Sequence, residues 1–416
     1  MSKSERADQL RDRLNNELKR VSLDHCVKCT LCEQYCPVSP VTELFTGPKF
    51  VGPQAERFRN EVSVDHSVDY CSSCGTCTVV CPQGVKVAEL NSLARAVMKA
   101  EHGMPVRDRL ITQTTLMGRM MTPVAPIANA VLGNSLARNL MEKVVGVDKD
   151  APMPTARSRT FRGWLRSRPR PTRQPTRGPV VFFHGCAGGY FEVEAAIKAV
   201  EVLEHIGFRV LVPKQGCCGL AEQSNGLFEQ ATDSVRSLVA QLRSAGEGLT
   251  IVSTAGSCAG MLKHEAHEIL GLHDPELLDV GARTRDISEF LMELHDAGEL
   301  PTDFKRIDLR VPYHQPCQVR SQGIGMPAAD LLRLIPGIEV VESGSICCGI
   351  AGTYGLKKEK YEIAQAVGRS LFEMVADTNQ GLVACDTETC RWQIEKSTGV
   401  RTVHPIVLLH QAYGLS

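Results

Sequence analysis

Cys26-Val-Lys-Cys29-Thr-Leu-Cys32-Glu-Gln-Tyr-Cys36-Pro37 spaces four cysteines as C-x2-C-x2-C-x3-C and places a proline directly after the last one. The same spacing returns in Cys71-Ser-Ser-Cys74-Gly-Thr-Cys77-Thr-Val-Val-Cys81-Pro82. Two copies of so specific a pattern in one chain indicate a shared chemistry rather than a chance match.

This spacing is typical of proteins that bind two [4Fe–4S] clusters. Three closely spaced thiolates hold three corners of one cluster, and the cysteine before the proline binds the neighbouring cluster. A disulfide knot would need an export signal, and paired zinc sites rarely use the triple spacing. Two [4Fe–4S] clusters are therefore the predicted cofactors. The predicted ligand sets are Cys26, Cys29, Cys32 and Cys81 for one cluster, and Cys71, Cys74, Cys77 and Cys36 for the other.

Length and composition narrow the class of protein. A chain of 416 residues with 17 cysteines holds two to four domains and is far too long for a disulfide-stapled scaffold. Met1 to Arg20 contains no apolar core of a signal peptide, so we expect a reducing, cytoplasmic location. The formal net charge of zero predicts no affinity for nucleic acid. No apolar window reaches transmembrane length, so any membrane association would be peripheral.

The C-terminal half is an internal repeat with a period of about 130 residues. The first copy opens at Val180 and contains Cys217-Cys218-Gly219, and the second opens at Arg310 and contains Cys347-Cys348-Gly349. The matched cysteines of the two copies, which are all candidate metal ligands, are Cys186, Cys217, Cys218 and Cys258 in the first and Cys317, Cys347, Cys348 and Cys390 in the second.

Short apolar runs alternate with helical patterns in each copy, which predicts a mainly parallel sheet. The predicted strands are Val180–Phe183, Arg209–Val212 and Leu249–Ser253 in the first copy, and Glu339–Val341 and Leu382–Ala384 in the second. The predicted helices are Val193–Ile206, Phe228–Leu242, Ala328–Ile335 and Tyr361–Met374. The predicted fold class is thus a helical, ferredoxin-like two-cluster module followed by two duplicated α/β domains, α+β overall. Each matched cysteine follows a predicted strand, so the thiols of one copy should meet at one sheet edge. The predicted domains are residues 1–104, a linker at 105–178, and the two repeats at 179–308 and 309–416.

Adjacent cysteines are an unusual ligand pair. They cannot both face one compact tetrahedral ion without strain, but they can bind different irons of one cluster, and Gly219 and Gly349 would let the backbone approach closely. Buried structural thiols are the alternative. His184 and His314 precede the first cysteine of each copy, and either could bind the metal, donate to a sulfur, or be structural.

The linker contains two unusual stretches. Residues 105–150 carry many Leu, Met, Val and Ile side chains among few acids, and Pro123 and Pro126 divide them. This pattern fits a packed helical linker or an interfacial surface for a membrane or a quinone tail. Arg157 to Arg177 holds eight arginines and no acid, which fits a solvated linker or a surface for anionic lipid or an acidic partner.

Two tandem Cys-Cys-Gly domains behind a double-cluster module resemble cysteine-rich subunits of respiratory oxidoreductases, such as the B subunit of heterodisulfide reductase and the iron–sulfur subunits of glycolate and lactate oxidases. A narrower resemblance, spanning nearly the whole chain, is to the C-subunit family of anaerobic glycerol-3-phosphate dehydrogenases. The residues that carry it are Thr114–Asn129, Cys347–Glu359, Thr389–Glu395 and His404-Pro-Ile.

This resemblance implies an electron conduit. In that family, flavin-containing A and B subunits oxidise glycerol 3-phosphate, and the C subunit delivers the electrons to menaquinone at the cytoplasmic face of the membrane. The chain itself would then hold no catalytic residue. The glycine spacing of Gly349–Gly355 follows two cysteines rather than a strand, so it is a poor dinucleotide motif.

The last cysteine ligand of each copy does not follow the pattern of relatives whose repeats carry a fifth cysteine. Domains that hold a non-cubane cluster end in C-x-x-C, whereas the second copy has Thr387-Glu-Thr-Cys390 with Cys385 displaced by two residues, and the first has Ala255-Gly-Ser-Cys258. Four thiols per copy leave a further iron–sulfur cluster, zinc, or a metal-free site open. A heterodisulfide-cleaving catalytic subunit and a glycolate or lactate oxidase subunit are the alternative functions.

Overall fold

The computed structural model describes residues 3–17, 25–54, 65–169 and 174–415. Helices form the N-terminal part, and two four-stranded parallel sheets follow it. The predicted fold class is thereby confirmed.

One helix, Val87–His102, organises the N-terminal module. It buries nearly all of its first three turns, including Leu90 and Leu93. The helix Lys3–Glu17 lies along it and buries Leu14. The two cysteine runs lie in the loops around this pair. Their short elements are Leu31–Gln34, Phe50–Gln54, His66–Tyr70 and Thr76–Val79.

The apolar part of the linker is a chain of short helices. These span Val106–Leu110, Thr114–Met121, Ala125–Gly133 and Ser135–Val145, with a 3-10 turn at Thr122–Val124. The two predicted interruptions thus lie at Pro123 and Pro126, which occupy first-turn positions that tolerate proline. One face of Thr114–Met121 packs on the first repeat, where Gly118 leaves room for Tyr190. The opposite face carries exposed apolar side chains.

The basic part of the linker contains one helix, Phe161–Ser167. Its described arginines bond mainly to the first repeat. Arg168 pairs with Glu204 at 2.6 Å, and Arg162 donates to the carbonyl oxygen of Pro213. This stretch is therefore tied to the protein surface along much of its length.

The first repeat folds around β1 (Pro179–Phe183), β2 (Arg209–Leu211), β3 (Ile251–Ser253) and β4 (Thr284–Asp286), in the order β2-β1-β3-β4. All neighbours are parallel, and helices cover both faces, which explains the continuous apolar run of β1. The helices are Gly185–Tyr190, Val193–His205, Leu220–Ser224, Phe228–Arg243, Gly256–Gly260, Met261–Glu265, Ala266–Glu268, Pro275–Arg283 and Ile287–Asp296.

The second repeat has the same topology, with β5 (Leu309–His314), β6 (Ile338–Glu342), β7 (Leu382–Cys385) and β8 (Arg401–Val403) in the order β6-β5-β7-β8. The helices and turns are Cys317–Arg320, Pro327–Arg333, Tyr354–Leu356, Tyr361–Thr378, Glu388–Thr398 and Pro405–Ala412. The edge strands β4 and β8 were not predicted, because each is a three-residue strand without an apolar run.

The two repeats share one hydrophobic core. Phe182 of β1 and Tyr313 of β5 belong to the same buried cluster. The last helix, Pro405–Ala412, packs along Val193–His205 of the first repeat. The repeats therefore hold their sheet edges in a defined relation. Over the described parts of the chain, no helix has both the length and the hydropathy needed to cross a bilayer.

Candidate metal centres

Four thiols from the two cysteine runs surround a small cavity at the surface of the N-terminal module. Cys26, Cys29 and Cys32 line it from the first run, and Cys81 lines it from the end of the second. Cys29 is exposed, and the other three are half-buried. The structure thus brings together the members of the first predicted ligand set, which we call the outer set.

The other four thiols are called the inner set, and of these Cys74 and Cys77 are buried and Cys36 and Cys71 are half-buried. Burial raises the pKa of Cys77, and the neighbouring thiols of Cys74, Cys71 and Cys36 raise it further. The four side chains are therefore close enough to act on one another. A group of thiols this close together is stabilised when a bound metal replaces their protons.

The backbone of both runs has the same unusual conformation. Lys28 and Thr30 in the first run, and Ser73 and Gly75 in the second, occupy matched positions with φ between 53° and 78°. Left-handed residues beside right-handed turns form concave nests of amide groups, which are common at iron–sulfur sites. The N–H of Ser73 points to the sulfur of Cys71 at 3.4 Å. Donor set and backbone both fit [4Fe–4S] clusters.

The first repeat gathers its four matched cysteines at the ends of its strands. Cys218 donates to Cys258, with 3.1 Å between the sulfurs. The thiol of Cys186 donates to Cys217, and together with the N–H of Gly219 at 3.4 Å it holds the pKa of Cys217 well below its usual range. Cys217 is thus the preferred thiolate of this site.

The second repeat reproduces this arrangement. The thiols of Cys317 and Cys348 donate to Cys347, whose pKa is held well below its usual range, and the N–H of Gly349 lies 3.3 Å from the same sulfur. Cys348 and Cys390 lie together in a buried cluster. All four matched cysteines of this copy are brought together.

The glycines of the two Cys-Cys-Gly motifs allow a close approach between two backbone segments. Gly219 has φ +83° and Gly349 has φ +90°. A Cβ at Gly219 would lie 2.7 Å from the carbonyl oxygen of Ala231, and one at Gly349 would overlap the carbonyl oxygen of Ala364. A helix of each repeat therefore presses its backbone against the loop that carries the two cysteines.

Cys385 is a member of the second site that the motif spacing did not include. It is fully buried at the end of β7. The sulfur of Cys348, and after it that of Cys385, is an acceptor for the thiol of Cys390, which raises the pKa of Cys390. The first repeat has Ser253 at the matching strand end, where its hydroxyl donates to Phe183. The sequence indicates Cys385 through its position at a strand end, which matches that of Ser253 in the first repeat, and not through its distance from Cys390.

The two histidines are not equivalent. Burial lowers the pKa of both to about 4, so both are neutral at pH 7. A ring nitrogen of His314 lies within 4.8 Å of the sulfurs of Cys348 and Cys390. His184 instead places Nδ1 2.6 Å from the carbonyl oxygen of Gly185. Among the described residues, only the second repeat therefore offers an imidazole beside its thiols.

Both repeat sites face one central cavity of about 180 Å³. Cys74 of the inner set also lines it and lies in contact with Cys317 and Cys347. The remaining lining is mostly apolar and includes Met117 and Trp392. The thiols that line the cavity are Cys74, Cys186, Cys217, Cys218, Cys258, Cys317, Cys347, Cys348 and Cys390.

A buried ion pair joins the two repeats beside this cavity. Glu192 of the first repeat accepts from Arg391 at 2.9 Å and from the indole N–H of Trp392 at 2.6 Å. Burial alone would raise the pKa of Glu192, but Arg391 and Trp392 outweigh it and lower that pKa. The charged pair therefore fixes the residues next to Cys390.

Comparison with known proteins agrees with this organisation. Residues 22–85 match the family described as a 4Fe-4S dicluster domain, and residues 180–263 and 311–395 match the family described as a cysteine-rich domain. The chain is 37% identical over 399 residues to the C subunit of anaerobic glycerol-3-phosphate dehydrogenase from Escherichia coli (strain K12), covering 94% of this chain and 98% of that protein. This chain belongs to the C-subunit family. The resemblance inferred from its motifs is thus confirmed, and the chain is an iron–sulfur protein of this electron-transfer family.

More distant relatives share the same span. The B subunit of fumarate reductase (CoM/CoB) from Methanothermobacter marburgensis is 28% identical, with 93% of this chain and 72% of that protein covered. A probable glycolate oxidase iron-sulfur subunit of Bacillus subtilis is 25% identical, with 100% and 99% covered. Both alignments therefore extend over nearly the whole of this chain, which includes its two-cluster module and its cysteine-rich repeats.

Proposed function

We propose that this chain carries electrons from the flavin-containing A and B subunits of a glycerol-3-phosphate dehydrogenase to menaquinone. The observation that supports this is the contact between the N-terminal module's thiols and those of the repeat sites. The outer set reaches the surface at Cys29, and the inner set contacts the repeat sites through Cys74. Iron–sulfur clusters bound there supply one-electron transfer. The chain's own residues supply a short path with a surface end and a buried end.

The cofactors in this proposal are one [4Fe–4S] cluster in each set of the N-terminal module and a further cluster or zinc in the repeats. Iron and acid-labile sulfide per chain, measured after anaerobic purification, test it. About eight irons would mean that only the N-terminal sets are filled, and clearly more would place the repeats on the path. An anaerobic preparation with almost no iron would refute the proposal.

The acceptor end of the path is proposed to lie at the central cavity. Its lining is mostly apolar, as the ring of a quinone requires, and it lies between two thiol sets. The helix Thr114–Met121 forms part of its wall through Met117, and the same helix exposes Leu116 and Met120 to solvent. An apolar acceptor could thus pass from a membrane surface to the cavity along one helix.

The proposed membrane contact is the exposed side of the linker helices, on the cytoplasmic face. In Ser135–Val145, Leu136, Leu140 and Val144 are 77%, 63% and 75% exposed and recur every four residues. A stripe of this kind, continued by Ile127 of the preceding helix, is typical of helices that lie in a membrane interface.

A triple variant tests this contact. Leu136→Gln, Leu140→Gln and Val144→Gln together remove three apolar side chains that the fold does not bury. At about 1 kcal/mol each, vesicle binding should weaken roughly 100-fold. In vesicles that contain menaquinone and the dehydrogenase subunits, quinone reduction by glycerol 3-phosphate should fall, whereas reduction of a water-soluble dye should persist.

The matched control is Leu278→Gln, which removes an exposed leucine from a different helix, Pro275–Arg283. It should leave both reactions unchanged. Unchanged vesicle binding and quinone reduction in the triple variant would refute the membrane contact. If no preparation of the unmodified chain supports reduction of the water-soluble dye by glycerol 3-phosphate, the electron path itself is refuted.

A further inference from the structure

A buried group of basic side chains surrounds the inner set at Cys71. Arg95, Lys99, Lys357 and Lys360 line one small cavity together with Cys71, and we call these four residues the cation cluster. The Lys360 side chain is only 2% exposed, and the other three are almost as well enclosed. Two come from the helix Val87–His102, and two from the loop before the helix Tyr361–Thr378 of the second repeat.

Two carboxylates partly neutralise this cluster. Asp69 lies 3.1 Å from the ammonium of Lys360 and 2.8 Å from that of Lys99. Lys357 donates to Asp108 at 2.8 Å. Asp69 therefore serves two lysines at once.

Arg95 holds the backbone of the inner set. It donates to the carbonyl oxygen of Cys71, to the carbonyl oxygen of Val68 at 3.0 Å and to the hydroxyl of Ser73 at 2.8 Å. Within the part of the chain that the structure describes, these acceptors are all neutral. The charge of Arg95 thus acts beside Cys71 without a carboxylate bonded to it.

The charges around this cavity do not balance. Four cations face two carboxylates, Asp69 and Asp108, among the described residues that line the cavity or bond to those that do. Beyond Asp108, Arg107 and Glu359 add one charge of each sign and leave this excess unchanged. Excess buried charge is unfavourable unless an anion lies close by. Burial accordingly lowers the pKa of Lys360 to about 7.

A thiolate-bound [4Fe–4S] cluster would be that anion. Its negative charge grows by one when it is reduced, so nearby cations favour the reduced form and raise the reduction potential. Among the described residues, the pocket of the outer set is lined by two lysines rather than four basic side chains, the exposed Lys28 and the buried Lys49. The charged neighbours that act on Cys32 are Glu33 and Lys49, which are opposite in sign, and Cys29 is exposed to water.

We propose that the cation cluster raises the reduction potential of the inner [4Fe–4S] cluster above that of the outer one, so that an electron entering at the surface moves inward. Lys360 and Asp69 act as residues that tune the potential and do not bind the metal. This inference concerns the direction of transfer within the module and is independent of the identity of the final acceptor.

Charge-changing variants of opposite sign test it in the full-length chain, purified anaerobically. Lys360→Met removes a positive charge at similar side-chain length, and Asp69→Asn removes a negative charge at equal size. The midpoint potentials of both clusters are read by paramagnetic resonance during redox titration, beside iron per chain. Lys149→Met is the control, because Lys149 is exposed and pairs with Asp150 outside this region.

The expected result is a shift of one cluster's midpoint to more negative values in Lys360→Met and of the same midpoint to more positive values in Asp69→Asn. The other cluster and the Lys149→Met control should stay unchanged. Shifts of the same sign in both variants, or no shift at full iron content, would overturn the proposal. If Lys360→Met loses iron, Lys357→Met and Asp108→Asn decide by the same rule of opposite signs.

Discussion

The perturbation most directly readable from the structure is Gly349→Ala. An alanine at φ +90° adopts the left-handed region, which costs about 1–2 kcal/mol, and its Cβ would overlap the carbonyl oxygen of Ala364 in the helix Tyr361–Thr378. That oxygen belongs to a helix backbone, so relief requires a movement of the loop at a further cost of about 1–3 kcal/mol. We therefore expect a loss of roughly 2–5 kcal/mol in total, the sum of these two costs.

The assay is thermal unfolding of the anaerobic chain, combined with iron and sulfide content. Gly352→Ala is the matched control, because Gly352 has φ +63° in the same loop but no atom within 4 Å of an added Cβ. It should show only the left-handed cost, and Gly219→Ala should lie between the two. Equal destabilisation by Gly349→Ala and Gly352→Ala would refute the close-approach argument.

Two further predictions concern the ion pair between the repeats and the crossing of the ligand sets. Glu192→Gln should cost about 3 kcal/mol at pH 7, because it leaves the buried guanidinium of Arg391 without its carboxylate partner. The pKa of Glu192 is lowered in the folded chain, so its ionised form stabilises the fold at pH values above the ordinary carboxyl pKa. The difference in free energy of unfolding between the two chains, measured with denaturant, should therefore shrink as the pH falls through about 4. A difference that grows on acidification would contradict this. The double variant Cys26→Ser/Cys81→Ser should lose about four irons, whereas Cys26→Ser/Cys36→Ser should lose about eight, and equal losses would contradict the crossed sets.

Much of the repeat fold followed from the sequence. The apolar runs at β1 and β7 and the helices Phe228–Arg243 and Tyr361–Thr378 lie where periodicity predicted them, within a few residues at their ends. The edge strand β4 did not follow, because its pairing depends on a neighbouring strand rather than on its own composition. Cys385 was missed for a related reason, since a ligand spacing says nothing about where a strand ends.

The linker shows why an apolar pattern alone does not distinguish burial from exposure. Packing and an interfacial surface both fitted residues 105–150. In the structure, Met117 and Leu116 lie on different faces of one helix, the first against the central cavity and the second in solvent. One face is therefore packed and the other exposed, and only the position of the neighbouring repeat decides which face is covered.

The sequence by itself determined the metal chemistry and the duplication, because cysteine spacing reflects the local geometry of a cluster loop and the period is visible in the residues. Only the tertiary structure decided that Cys74, Cys217 and Cys347 would line one cavity. The carboxyl ends of parallel strands gather thiols within each repeat, but the meeting of two repeats and the N-terminal module depends on a core shared between residues such as Phe182 and Tyr313. Packing between segments so far apart in the chain leaves no periodic signal in either one, so the local sequence does not reveal it.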